Sequence, residues 1–337
     1  MVQGGRFPVT ERSFTVAVIG TGFMGAQHLE IWHSLGARLI VCSTDEQTGT
    51  ALAKQYAAPF YGDYLAMMDE QKPDAVSICL PTALHYDAVK AALSRGIAVL
   101  CEKPFTAATS EAEELCRMAR ERGVLLMVGH PLRFGKAYAY LRACIRDGCF
   151  GMLTQLDLYR HSTVPGWSVG GWLLDPSKSG GALKDLHIHE TDIINHLLGL
   201  PESVCTVGSL RQCATVYRYA DGLGVTASAG WRNVRDLPFM SGYDAVFEHA
   251  VVRCEGTNVR LYTDDGVRDP ITEETFPDFM NGQSSLENEI TYFAKCLAEG
   301  STPAVCLPES TVDTMRLGDA ELASLRMRRE VSLMASD

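Results

Sequence analysis

The chain has 337 residues and a formal net charge of −11 at pH 7, long enough for two domains with buried cores and too acidic to suit nucleic acid or an anionic membrane surface as partner. No apolar run reaches the roughly 18 to 20 residues of a membrane span, and the polar stretch 1–13 lacks the apolar segment of a secretory signal. Residues 1–13 therefore read as a disordered lead-in, and a cytoplasmic location is expected.

Residues 14–19, 39–42, 75–80, 97–101 and 124–128 are short apolar runs, the pattern of strands buried on both faces of a parallel sheet. Between them, 24–35, 46–56, 84–95 and 110–122 carry helical spacing, with Ser110 placed as the N-cap of the last. This βαβ alternation predicts a doubly wound α/β domain over residues 14–135. Beyond it the rhythm changes. A helix over 136–147 leads into a strand over 152–159, and one long helix is expected over 182–198. Strands at 204–210, 214–219, 223–229, 245–254 and 259–262 follow, separated by Asp221-Gly222 and Glu255-Gly256-Thr257-Asn258 turns, so an antiparallel sheet is expected. Helices over 286–298 and 308–327 close a second α/β domain, residues 136–337. The eleven cysteines are scattered, several within apolar runs, with no CxxC pair. Reduced, mostly buried thiols are their expected state.

Gly20-Thr21-Gly22-Phe23-Met24-Gly25 lies directly after the first strand and opens the first helix, the context in which a GxGxxG loop receives a dinucleotide pyrophosphate. The end of the second strand reports the cofactor, because an acid there binds the ribose 2′-OH and a base accepts a 2′-phosphate. Here Ser43 takes the acid's place, Thr44 follows, and Asp45 arrives two residues late. No Lys or Arg occurs between Leu39 and Ala53, so NAD is favoured over NADP; a plain strand-to-helix loop capped by Thr44 or Asp45 explains the same residues.

Glu102-Lys103-Pro104 follows the fourth apolar run, placing Lys103 at the carboxyl end of a sheet strand, where open α/β sheets bind their ligands. Such a lysine can hold an alcohol by hydrogen bonding and relay its proton. In the second domain, about 100° per residue puts Asp185, His189, Asp192 and His196 on one narrow stripe of the 182–198 helix. His189 can take an alcohol proton near neutral pH, with Asp185 one turn away. A polar solvent face accounts equally for the stripe, and no metal-ligand motif accompanies it, so no metal is expected.

These motifs, taken in order, resemble the Gfo/Idh/MocA oxidoreductase family, which includes inositol dehydrogenases and glucose–fructose oxidoreductase. The resemblance runs from Phe14 to about Arg326 and rests on several pieces. They are the glycine loop, Leu80-Pro81-Thr82-Ala83-Leu84-His85, Glu102-Lys103-Pro104, Val128-Gly129-His130 with Arg133-Phe134, Trp172 ahead of Gly180-Gly181, and Asp185 with His189. It implies a Rossmann domain followed by an α/β domain whose large open antiparallel sheet makes oligomer contacts, in a homodimer or homotetramer. It also implies that Lys103, Asp185 and His189 are the catalytic lysine, aspartate and histidine, that Pro81, Thr82 and His85 lie beside the cofactor, and that Glu102 flanks the nicotinamide ribose. Ser43 and Thr82 depart from the residues most frequent in the family. Arg133, His161, Trp172 and Asp192 are further substrate candidates, with Trp167 beside them.

The expected chemistry is hydride transfer between a nicotinamide cofactor and a secondary alcohol or ketone carbon of a sugar, amino sugar or cyclitol. The net charge and the acids near His189 narrow this to a cationic amino sugar or aminoglycoside. A non-catalytic dinucleotide-binding sensor or partner protein of the same fold is the alternative.

Overall fold

A run of apolar residues that hides both faces needs strands on each edge and helices above and below it. β1 (Thr15–Ile19), β2 (Arg38–Cys42), β3 (Phe60–Tyr61), β4 (Ala75–Ile78), β5 (Ala98–Glu102) and β6 (Leu126–Gly129) meet that need in one parallel sheet, ordered β3-β2-β1-β4-β5-β6. Their connections are α1 (Phe23–Ser34), α2 (Glu46–Gln55), α3 (Tyr64–Gln71), α4 (His85–Ser94) and α5 (Thr109–Arg122). The strand order reverses between β1 and β4, which makes their carboxyl ends the topological switch point. Val16, Val18, Ile78, Val99, Leu100 and Val128 are buried in this sheet, each contributing roughly 1.5–3 kcal/mol by leaving water.

The computed structural model describes residues 13–333 except Trp167 and Glu273. The expected lead-in, apart from Ser13, and the candidate Trp167 lie outside the described residues. Within the first sheet, β3 and α3 are additions to the expected series. Two residues are too few to show a period, and the short α3 owes its start to Asp63, which accepts the Ala66 N–H at 2.9 Å. The start of α5 is a correction: its N-cap is Ala108, not Ser110, and the Glu111 carboxylate takes up the Ala108 N–H at 3.2 Å.

The second sheet is built on α6 (Lys136–Asp147), β7 (Leu153–Thr163), α7 (Pro176–Ser179), α8 (Gly181–Asp185) and α9 (Ile188–Leu198). There follow β8 (Ser203–Ser209), β9 (Gln212–Arg218), β10 (Gly224–Arg232), β11 (Met240–Phe247), β12 (Val251–Glu255), β13 (Asn258–Thr263), β14 (Gly266–Arg268), α10 (Ser285–Glu299), α11 (Pro308–Met327) and β15 (Val331–Ser332). Nine strands run in the order β14-β13-β12-β11-β7-β10-β9-β8-β15. Every pairing is antiparallel except β7 with β10, so the sheet is mixed rather than purely antiparallel. The single strand expected over 245–254 is a hairpin, β11 and β12, turned where the Phe247 N–H reaches the Ala250 carbonyl at 2.8 Å. Helix residues Tyr138, Leu141, Ile193, Ile194 and Leu317 pack on the inner sheet residues Leu156, Leu158, Tyr217, Ala227 and Tyr243.

By packing, the chain divides into two units: residues up to Gly129 with Leu286–Pro308, and His130–Ser285 with the residues from Glu309 onward. Chain order alone put all of 136–337 in the second. The segment 286–308 instead completes the first, where Phe293 meets Trp32 edge to face at 6.1 Å and the Cys306 thiol reaches the Val128 carbonyl at 3.2 Å. Among the described residues no helix is long and apolar enough to cross a membrane.

Glu321 of α11 is fully buried in the second unit. Its carboxyl accepts the Tyr217 hydroxyl at 2.7 Å and the Thr191 hydroxyl at 3.0 Å, yet burial pushes its pKa up to about 7. An acid whose pKa is raised by folding contributes stability below its unfolded value, and that contribution is lost as pH rises through the folded one. The shift corresponds to about 3 kcal/mol. Glu321→Gln does not titrate, so its melting temperature should gain several degrees on the wild type between pH 5 and pH 8. A gap that stays constant across that range in parallel calorimetric scans would refute the assignment.

Candidate active site

In the first unit, β1 delivers the chain into the glycine loop. Gly20 adopts φ +101°, a conformation L side chains rarely take, and a Cβ there would lie 2.4 Å from the Cys79 carbonyl oxygen. At Gly25 a Cβ would lie 1.9 Å from the Gly20 carbonyl oxygen, so this residue sets how closely α1 docks on β1. Gly22 differs: a Cβ built there meets nothing within 4 Å. No protein neighbour requires glycine at this position. The space is the cradle that a pyrophosphate approaching the backbone would fill, beside the uncapped start of α1. Phe23 is exposed at the mouth of the loop and Met24 is half-buried.

At the end of β2 the Thr21 hydroxyl donates to Ser43 Oγ at 2.7 Å, and the Asp45 N–H donates to the same oxygen at 3.1 Å. Ser43 thus ties the glycine loop to the second strand. Asp45 is the N-cap of α2, accepting the Thr48 N–H at 3.1 Å and the Thr48 hydroxyl at 2.7 Å, and those bonds lower its pKa. The late acid is therefore occupied as a helix cap, and the exposed Thr44 stands between it and Ser43.

Glu102 ends β5 and is buried, with Oε1 3.0 Å from His28 Nε2 and Oε2 accepting the Lys103 N–H at 3.2 Å. Lys103 is half-buried, and the Lys103–Pro104 bond is cis. Pro81 opens a 3-10 turn, Thr82–Leu84, in which Thr82 is buried. His85, expected beside the cofactor, is 0% exposed. Its ring nitrogens face the Leu80 carbonyl at 2.7 Å and the Pro104 carbonyl at 2.9 Å. It is a support beneath the loop rather than a surface of it.

In the second unit, the helix expected over 182–198 is broken at Leu186-His187. The His187 N–H reaches back five residues to Ala182 O at 2.7 Å, and the His189 N–H only three, to Leu186 O at 3.3 Å. This wide turn, followed by a tight one, lets the buried His187 ring meet the Tyr217 hydroxyl at 3.2 Å. Asp185 ends α8 and His189 lies in the first turn of α9, both half-buried. One helical wheel across both residues is therefore not valid.

Two of the four substrate candidates, Arg133 and Asp192, are internal. Asp192 is on a buried face of α9, where Arg133 grips it with both arms, at 2.6 and 2.9 Å, and Thr314 adds a hydroxyl at 2.8 Å. Opposed charges in that embrace hold the carboxyl down to about 2 despite burial. Arg133 is 4% and Asp192 1% exposed, so the pair is an internal brace. His161 lies on the outer face of β7, since its neighbour Arg160 faces α9 and pairs with Glu190 at 2.7 Å. Trp172 packs against the small cluster of Leu173, Ala182, Leu186, Ala229 and Trp231. Sequence reasoning overlooked His28, although its place three residues after Gly25 puts it one turn along the helix that the loop opens.

Residues 14–130 match the model of an oxidoreductase family with an NAD-binding Rossmann fold, and residues 138–240 match the GFO/IDH/MocA C-terminal domain. A 2,7-anhydro-N-acetylneuraminate hydratase of Mediterraneibacter gnavus is 32% identical over 197 residues, 57% of this chain and 51% of that protein. A D-xylose 1-dehydrogenase (NADP(+)) of Haloferax volcanii is 27% identical over 337 residues, 94% of this chain and 98% of that one. The chain spans about half the length of the first curated relatives it matches. The solved levoglucosan dehydrogenase in complex with NADH and levoglucosan shares the fold, with a TM-score of 0.83 at 19% identity over 96% of this chain and all of that one.

Gly22→Val should weaken NADH binding at least tenfold, about 1.4 kcal/mol, with little change in melting temperature, whereas Gly25→Val should lose both. Equal behaviour of the two variants in fluorescence titration and calorimetry would contradict the distinction. Arg133→Met, which strands a buried carboxylate, should cost about 3–5 kcal/mol in urea unfolding; a loss under 1 kcal/mol would show the brace to be dispensable.

Proposed function

Since this chain belongs to the GFO/IDH/MocA family of NAD-binding oxidoreductases, we propose that it transfers a hydride between a nicotinamide dinucleotide and a secondary alcohol or ketone carbon of a sugar, amino sugar or cyclitol. The observation that carries this reading lies in the first unit. The open cradle at Gly22 and the lysine at the end of β5 stand at the carboxyl edge of one sheet, around its strand-order reversal.

When bound, the nicotinamide supplies the hydride acceptor or donor; the remaining work falls to side chains. Lys103 donates from Nζ to the substrate hydroxyl oxygen, which orients it and offsets negative charge as the proton departs. The His189 imidazole takes that proton, and returns it in the reductive direction. Asp185 positions the sugar by accepting from a neighbouring hydroxyl or ammonium. A net charge of −11 favours a cationic amino sugar among these substrates.

NAD is the preferred cofactor in this reading. The Asp45 carboxylate at the end of β2 repels a 2′-phosphate, and residues 39–53 hold no base to receive one. Eleven free thiols suit the reducing cytoplasm. The outer sheet face exposes Val207, Val216 and Tyr262, and we assign it to contact with another copy of the chain in a homodimer or homotetramer.

Lys103→Met and His189→Ala should each lower turnover at least about 100-fold while NADH affinity in fluorescence titration stays within about threefold. Substrates come from a panel of neutral sugars, amino sugars, cyclitols and anhydro sugars, with products read by mass spectrometry as well as by absorbance. Full turnover by either variant removes its assigned role, and failure of the wild type to bind either dinucleotide removes the whole reading. Val216→Glu should shift the light-scattering mass toward the monomer; an unchanged mass places the interface elsewhere.

A further inference from the structure

Lys103 stands between residues that are each held from beneath by a buried histidine. His28, in α1, and His85, the first residue of α4, are both 0% exposed. On the near side, His28 Nε2 lies 3.0 Å from Glu102 Oε1, while Glu102 Oε2 receives the Lys103 backbone N–H at 3.2 Å. One carboxylate thus links the helix that follows the glycine loop to the main chain of Lys103. On the far side, His85 Nδ1 faces the carbonyl oxygens of Pro104 at 2.9 Å and Phe105 at 3.2 Å, and Nε2 faces that of Leu80 at 2.7 Å.

A carbonyl oxygen can only accept, so the ring nitrogen that bonds one must carry a proton; burial lowers the pKa of His85 and leaves the neutral ring one N–H to donate. Both nitrogens of His85 face carbonyls, so its N–H donates to one segment, Leu80 or Pro104-Phe105, while the ring is wedged between the two. Packing alone does not account for this, since an apolar ring of the same size fills the space without three carbonyls converging on its polar atoms. The two imidazoles act on consecutive parts of one turn: the side chain before Lys103 and the main chain after it.

We propose that His28 and His85 are positioning residues for Lys103, fixing the direction in which its side chain leaves the end of β5. The proposal rests on the assignment of Lys103 as the group that holds the substrate hydroxyl. Neither histidine reaches the surface, so neither acts by touching substrate; both act through the lysine between them.

The test is a double-mutant cycle with an independent chemical readout. His28→Phe and His85→Phe should each lower kcat by about 10- to 100-fold, with KM and NADH affinity within about threefold. His28→Gln, which keeps a donor for Glu102, should recover most of the loss. In a Lys103→Met background the same histidine changes should produce no further decrease. In nucleotide-free protein, the acylation rate of Lys103 by acetic anhydride, followed by mass spectrometry against Lys90 as internal reference, should change several-fold in both Phe variants. Losses that multiply with that of Lys103→Met, or an unaltered Lys103 labelling rate, overturn the proposal. Full turnover by Lys103→Met instead overturns the catalytic assignment, and the labelling rates then decide the positioning claim alone. Should the Phe variants fail to fold, the His28→Gln and His85→Gln proteins carry the same labelling comparison.

Discussion

The first unit depends on one close approach, the α-carbon of Gly25 against the carbonyl of Gly20, where any side chain would overlap the backbone at 1.9 Å. That contact lets α1 lie flat on the sheet. Once it does, the residues along the helix and its loop fall against their partners in turn. Thr21 meets Ser43 at 2.7 Å, His28 meets Glu102 at 3.0 Å and the Trp32 indole N–H meets Ser77 at 2.9 Å. A steric limit at one backbone position is thereby converted into a set of buried polar contacts that tie β2, β4 and β5 to a single helix. The loop that is shaped for a dinucleotide and the turn that carries Lys103 share this one support.

The parts of the fold that were legible in the sequence are those where a period repeats without interruption. Five strands of the parallel sheet were evident because each is apolar on both faces, and α6 and α11 have the expected bounds because their apolar spacing runs unbroken. The short elements β3, α3, β14 and β15 have too few residues to establish a period and exist through their neighbours. The hairpin of β11 and β12 was hidden for a different reason. Its turn residues are not the Gly or Asn types that announce a turn, and Ala250 sits in it as a buried residue.

The candidate site was legible where chemistry dictates residue type, as in the glycine loop and the lysine at the end of β5. It was misread where the argument relied on a helical wheel. The wheel treats a polar stripe as a solvent face or a catalytic row. In the second unit that stripe is divided by the wide turn at His187, and its third member, Asp192, is buried against Arg133. Asp192 pairs with Arg133 and Glu190 with Arg160 inside the unit, pairings between residues distant in the chain that local periodicity does not encode. His28 was missed for the complementary reason: a lone histidine in a helix gives no signal until the strand opposite supplies its carboxylate.

The first unit is discontinuous, its parallel sheet coming from residues up to Gly129 and its final helix only with Leu286–Pro308. During synthesis the sheet therefore emerges long before the segment that brings Phe293 to Trp32 and Cys306 to Val128. For more than half the length of translation the flank of α1 that receives Phe293 lacks that covering, while the other unit is still being made. Neither unit is complete before its last segment, Leu286–Pro308 for the dinucleotide unit and the residues from Glu309 onward for the other, so the ribosome-bound intermediate has a defined apolar site for a chaperone to shield.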